Sequence, residues 1–524
     1  MKLGLLTLLL LFLGSLLTAP PSTFADDRGG RGDDRHDKDQ HDKDRHDKDD
    51  DRDVERKLAA VLRHHGFTGE IESTLEKRLG RRINPALADL GRLLFHDKIL
   101  GLHNDNSCAG CHGANFGFGD SQPMAIGVDN NNVVGNSSIF PGPGRVGPRN
   151  QRRSPLVGNT IFYPALMWTA RFFAPTGDPF DPSQGFQFPP PENIVTGEPT
   201  LLAAQGSLPS TELVEMAGFT GITANPGPFG EDFFQFDDGH GQALPAPDAT
   251  GFHNFPIQAA VDARLNAIPE YLVRFGKVFN NGIPLPPGGI TISMRRRAIA
   301  EFQTTLTTAN APLDRFARGE RHAMTRSEKR GALLFFGEAR CVACHAVADQ
   351  SNEMFSDFKL HRIGGPQLFP VFGVGTGDVI FDGPNENEDF GVEQTSHDPA
   401  QRYMFRTAPL RNLKVAPAFF HNGAFGTIEA AIAHHLDVVD SLRFYDPRAN
   451  DVPADLMEGP FDGILAAGID PLLRKPIKLS KREFRDLVNF VRDGLFDKRV
   501  LDFCSQIPAS VPSGLPLQTF VGCR

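Results

Sequence analysis

The chain has 524 residues, 40% of them hydrophobic and 23% charged, and a formal net charge of −10. That length fits about two to four domains, and the composition is ordinary for a globular protein. The acidic balance speaks against nucleic-acid binding.

Met1–Ala25 reads as a secretory signal peptide. Lys2 gives the positive start, Leu3–Leu17 the apolar run and Thr23-Phe24-Ala25 the cleavage site. The run falls short of the ~20 residues a membrane span needs, and no later stretch qualifies, so no span is expected after cleavage. Asp26–Asp53 is low in complexity, with His-Asp-Lys-Asp recurring at 36, 41 and 46 and thirteen Asp against eight Lys plus Arg. Such a segment cannot bury apolar area and is expected to be a disordered arm. His36, His41 and His46 then read as parts of a solvated arm before they read as metal ligands.

Beyond the arm the pattern is helical, joined by long Pro/Gly-rich loops. Asn84-Pro85 is a cap and first turn, with Leu87, Leu90 and Leu94 at helical spacing. Val128–Pro190 and Pro209–Pro256 are rich in Gly, Pro and Asn and are expected to be mostly irregular. Gly142–Gly147 matches a dinucleotide glycine pattern by letter only and reads as a loop. Ser293 is the expected cap of a helix carrying Ile299, Phe302 and Leu306. Thr325 with Glu328, and Ser480 with Glu483, form capping boxes. Thr427 is a cap for Ile428, Ile432 and His435, which share one stripe, with His434 turned toward solvent or a flank. Ile222–Thr250 and Phe369–Pro399 look like loop insertions. No long alternating pattern appears, so the class is mainly α.

The chemistry is carried by Cys108-Ala109-Gly110-Cys111-His112 and Cys341-Val342-Ala343-Cys344-His345. Two cysteines two residues apart with histidine directly after form the attachment signature of c-type haem. Each thiol adds to one vinyl group, and the histidine ligates the iron. The pairs are too far apart for one structural zinc site, and neither sits in the βαβ setting of a thioredoxin-like redox pair. Two covalent c-type haems are therefore expected, which agrees with export. Cys504 and Cys523 remain, and an oxidising compartment would let them pair; the sequence leaves that open.

Phrases around the motifs resemble the bacterial di-haem cytochrome c peroxidase family, which includes MauG-type enzymes. They are "LGRLLFHDKILG…SCAGCH", "RRSPLVGN…MWTAR", "AIAEFQTTL…PLDRFARGE", "EKRGALLFFGEARCVACH", "FRTAPLRNLKVAPAFFHNGAFGTIEAAIAHHL" and "LSKREFRDLVNFVRDGL", spanning about residues 84–497 in the family's order. The resemblance implies two cytochrome c-like helical domains, here an N-terminal haem domain over 54–292 and a C-terminal one over 293–500, with a tail over 501–524.

It implies a peroxide haem held by His112, an electron-transfer haem held by His345, and Trp168 between them. Gln205 and Glu215, ten residues apart, match the family's pair over the peroxide haem, where a carboxylate can move the proton that O–O cleavage needs. At the sixth ligand of the electron-transfer haem the family has Met or Tyr, and His435 stands here; His421 and Met404 are the next candidates. Where many relatives carry a capping histidine, this chain has Val128, with Met124 nearby. Arg153 and Ala416 stand at two points of the family's calcium site, which leaves calcium in doubt.

The expected function is a periplasmic peroxidase that reduces hydrogen peroxide to water with electrons from a small cytochrome c or copper protein. The alternatives are a MauG-type oxidase of a protein or organic substrate, and a non-catalytic di-haem electron-transfer cytochrome.

Overall fold

The computed structural model describes residues 51–523, except 129, 131, 136–148, 190–193, 219–254, 371–387 and 460. The signal peptide, nearly all of the acidic arm, Gly142–Gly147 and most of both loop insertions lie outside the described residues. Asp53–Arg524 forms one compact unit, and no helix among the described residues is long and apolar enough to cross a membrane. The structure is mainly α, as expected. Its largest sheet has four two-residue antiparallel strands, ordered Ala165–Leu166, Phe172–Phe173, Phe186–Gln187 and Ile194–Val195.

Two helix pairs lay out the molecule. In the first, Pro85–His96 packs along Ile292–Thr305. Asn84 caps the former, its Oδ1 accepting from the Ala86 and Leu87 N–H groups. Gly91 lets the backbones approach, since a Cβ there would lie 1.8 Å from the Ala298 carbonyl oxygen. The cap of the second helix is Thr291, whose hydroxyl accepts from Met294, and not Ser293. Ser293 is already helical, because the chain turns two residues earlier than its apolar spacing suggested.

The second pair repeats the device. Arg326–Phe336 and Lys481–Asn489 both start in the expected capping boxes, and Gly331 lies against the Asp486 carbonyl oxygen, 1.9 Å from where a Cβ would stand. Gly91-Arg92-Leu93-Leu94-Phe95 and Gly331-Ala332-Leu333-Leu334-Phe335 are thus equivalent. Each phenylalanine reaches the following motif histidine, with Phe95 6.2 Å from His112 and Phe335 6.3 Å from His345 between ring centroids.

Each pair carries its own apolar core, and the cores interleave along the chain. The first joins Leu90, Leu94, Phe95 and Phe118 to Phe302 and to Val500, Phe503 and Phe520. The second joins Leu58, Leu62 and Phe67 to Phe335, Leu487 and Phe490. Helix Ile292–Thr305 therefore shares the first core, and the expected boundary before residue 293 falls after its first residue. The sequence reading missed Phe255–Asn266 and Pro269–Phe279, which bring Ile257, Val261, Leu265, Tyr271 and Phe275 to that same core.

The final stretch closes back on the first lobe. Cys504 and Cys523 form a disulfide, Thr519–Phe520 pairs in parallel with Val133–Val134, and Gln518 Oε1 accepts from the Ser107 hydroxyl at 2.6 Å.

Candidate functional site: two cavities sharing a tryptophan

Cys108–Cys111 is one helical turn, so the two thiols project from the same face. Both line a cavity with His112. His112 donates its Nδ1 proton to the Pro155 carbonyl at 3.0 Å, which leaves Nε2 as the free lone pair. Burial pushes its pKa down to about 4, so the ring is neutral, the form that ligates a metal.

Gln205, at the end of helix Leu201–Gln205, lines the same cavity, as does Glu215. Glu215 sits in the wide turn Leu213–Ala217, anchored through its carbonyl, which accepts from Asn106 Nδ2 at 2.7 Å. The structure thus brings Gln205, Glu215 and the first motif together. It also adds two residues the sequence reading passed over. Glu212 and Arg171 line the cavity with Oε1 and Nη2 3.5 Å apart, and burial raises the Glu212 carboxyl against the pull of Arg171. The available signal was an acidic residue one turn before Glu215 and an arginine three after Trp168.

His112 is the one histidine among the described residues lining this cavity. Met124 points elsewhere, buried in the second core. Val128 is buried with its N–H on the Val214 carbonyl at 3.0 Å, while Ala125 is the member of that loop that reaches the cavity.

The second cavity is lined by Cys341, Cys344, His345 and, from the opposite helix, the expected stripe of Ile428, Ile432 and His435. His345 donates Nδ1–H to the Phe355 carbonyl at 2.9 Å and His435 donates its own to Ala431 at 2.8 Å. Both Nε2 atoms are left for a ligand. The two ring centroids stand 6.3 Å apart, so both histidines would hold one metal ion at bonds of about 2 Å. His434 is fully buried on the flank, with Ser441 Oγ at 2.9 Å and the Ile363 carbonyl at 2.8 Å on its two nitrogens. His421 also lines the cavity, stacked on Phe405 at 3.8 Å. His361 was missed: Asp357 at 3.0 Å and Asp470 at 2.7 Å clamp it at the cavity, and these carboxylates, Asp357 first, hold it charged.

Trp168 lines both cavities. Its indole N–H donates to the Arg153 carbonyl at 2.8 Å, and its own carbonyl accepts the Arg406 N–H at 2.7 Å. Met167 and Ala170, on either side, are held at φ of 67° and 55°, a conformation costly for residues with a Cβ. The surrounding contacts fix this loop against its local preference.

The donor sets suit haem and not zinc. Each cavity holds one cysteine pair directly followed by a neutral histidine, and no three His, Cys, Asp or Glu among the described residues are grouped as a structural zinc site requires. Calcium does not fit at the implied point, where Arg153 places a buried guanidinium on the Ala418 carbonyl.

Residues 85–322 match the family model for di-haem cytochrome c peroxidase. The methylamine utilization protein MauG of Methylorubrum extorquens is 26% identical over 412 residues, 78% of each chain. The cytochrome c551 peroxidase of Pseudomonas aeruginosa is 25% identical over 356 residues, 68% of this chain and 72% of that one. Among solved structures, the diheme peroxidase BthA of Burkholderia thailandensis superposes with a TM-score of 0.49 at 18% identity, covering 83% of this chain and 91% of its own. With paired haem motifs in two cavities, the chain is similar over most of its length to MauG and to cytochrome c peroxidases, and over residues 85–322 it carries the pattern of the di-haem cytochrome c peroxidase family.

Proposed function

We propose that the protein reduces hydrogen peroxide to water in the first cavity, using single electrons that a small soluble redox protein delivers to the second. Haem, when bound, would supply a redox-active iron in each cavity; Cys108 and Cys111, and Cys341 and Cys344, would attach it, and His112 and the pair His345–His435 would hold the iron. Reduction of one peroxide to two waters takes up two electrons and two protons. Glu215 carries a proton between the peroxide oxygens, and Gln205 orients the peroxide by hydrogen bonding. Trp168 spans the wall between the cavities and serves as the electron path. Helix pair 85–96/292–305 and helix pair 326–336/481–489 are the scaffolds of the peroxide lobe and the electron-transfer lobe.

The observation that carries this reading is the shared lining of Trp168, with proton-handling residues on one side of it and a bis-histidine pair on the other. The Cys504–Cys523 disulfide and the Met1–Ala25 segment support export to the periplasm. The test is a steady-state assay with hydrogen peroxide and reduced cytochrome c. Rapid donor oxidation is the expected result, and a peroxide-insensitive haem spectrum would leave a plain electron-transfer cytochrome.

MauG-type oxidation of a protein or organic substrate is the second reading. Near-equal identity to MauG and to the c551 peroxidase, 26% and 25%, keeps it in view. Peroxide consumption without oxidation of any small redox protein would favour it.

A further inference from the structure

Arg153 is one of the residues at which the two lobes are joined. Its N–H donates to the His421 carbonyl at 2.8 Å, and its carbonyl receives the Trp168 indole at 2.8 Å. Its guanidinium is buried and two-handed: Nη2 donates to the Asp120 carbonyl at 3.1 Å and Nη1 to the Ala418 carbonyl. Asp120 lies two residues after Phe118 of the first core, and Ala418 directly precedes Phe419 and Phe420 of the second. The Asp120 carboxylate, the guanidinium's charge partner, is buried too and is fixed by the N–H groups of Gln122 and Ser154, both at 2.9 Å.

A calcium ion at this junction would need about six to eight oxygen ligands. The Asp120 and Ala418 carbonyls are already engaged by a guanidinium, which has donors only and keeps its charge at any working pH. A divalent ion beside it would meet like charge in a low-dielectric setting.

We propose that Arg153 is a built-in cation at the lobe junction, a covalently fixed substitute for a structural calcium ion, so that Trp168 is held between the cavities without any metal. The calcium part stands on Arg153 alone; only the effect on turnover rests on the reading of Trp168 as electron path.

The test begins with purified wild-type holoprotein, assayed for metal by mass spectrometry before and after EGTA. No stoichiometric calcium is expected, and neither EGTA nor added calcium chloride should change the haem EPR spectrum or the melting temperature. Arg153→Asn removes the cation and leaves its carbonyls unpaired. In EGTA that variant should melt roughly 3–5 °C lower, and calcium chloride should raise its melting temperature saturably. Arg153→Lys, which keeps a charge, should remain indifferent to calcium. Stoichiometric calcium in the wild type, a change in its EPR spectrum on chelation, or an Arg153→Asn variant as stable as wild type in EGTA would each overturn the proposal. Should Arg153→Asn fail to fold, the wild-type metal content and chelation response decide alone. A calcium-free wild type that does not turn over peroxide would sink the proposed function and leave this inference standing.

Discussion

The imidazole rings of His345 and His435 meet across the second cavity with centroids 6.3 Å apart and planes inclined by 59°. Each is oriented by an Nδ1–H bond to a backbone carbonyl, His345 to Phe355 and His435 to Ala431, so neither ring is free to turn its Nε2 away. His435→Ala should therefore remove the low-spin EPR signal of the second haem and leave that of the first unchanged. A surviving low-spin signal would move the ligand to another residue, with His421, which also lines the cavity, or Met404 the next candidates.

Glu215→Gln keeps shape and hydrogen bonding but cannot shuttle a proton. Turnover should fall by about 10²–10⁴-fold, with peroxide binding changed far less. Stopped-flow mixing separates the two steps, and wild-type turnover would assign Glu215 to structure. Glu212→Gln, in the same cavity, should cost less, because that carboxyl is tied to Arg171 rather than to the family's glutamate position.

Much of this was legible in the chain. The caps at Asn84, Thr325, Thr427 and Ser480 follow from local hydrogen bonding, and the Ile428–Ile432–His435 stripe follows from helical spacing. The echo of Gly91–Phe95 in Gly331–Phe335 was equally visible and would have revealed two equivalent helix pairs. Ile257, Val261 and Leu265 were also spaced for a helix, with Asn254 and Pro256 as a start signal, but the stretch follows a Gly/Pro-rich segment that was read as irregular through Pro256. What could not be read are contacts between distant segments: Arg153 on Ala418, Ser107 on Gln518, Glu212 beside Arg171. Each is decided by how packed lobes bring loops together, and no local pattern encodes that.

His96 offers a stability test outside both cavities. The ring is buried among Phe95, Phe118, Phe302 and Phe520, donates Nδ1–H to the Arg92 carbonyl at 2.9 Å, and burial lowers its pKa to about 4. In the unfolded chain it titrates near 6.5. Between those values only the unfolded state takes the proton, so stability is full above about pH 6.5 and falls as the pH drops toward 4, by up to roughly 3 kcal/mol. His96→Phe should abolish that share. Denaturant unfolding at pH 5 and pH 7.5 should show a smaller acid loss in the variant, and equal losses would refute the assignment.

The disulfide closes a stretch of 19 residues that carries Gln518 back to the first haem motif. Replacing Cys504 and Cys523 with serine should cost about 3 kcal/mol by loop entropy. The loss should fall on the first lobe, seen as faster amide exchange at residues 107–112 than at 341–345. Uniform loss across both lobes would count against this coupling.

The resting state of the first cavity follows from what lines it. Val128 cannot ligate iron and is turned into the contact with Val214, Met124 is buried in the second core, and His112 is the one histidine among the described lining residues. The first haem should therefore be high-spin in the fully oxidised protein, five-coordinate or with water as sixth ligand, beside one low-spin bis-histidine haem. Such an enzyme should react with peroxide without prior reduction of the second haem. A gate can be installed to test the point. Ala125, which faces the cavity, is the better position than Val128, so Ala125→His should convert the high-spin signal to low-spin and make turnover depend on pre-reduction, while Val128→His should do neither. Two low-spin haems in the oxidised wild type, or a required reductant pulse, would show that some residue already caps the iron.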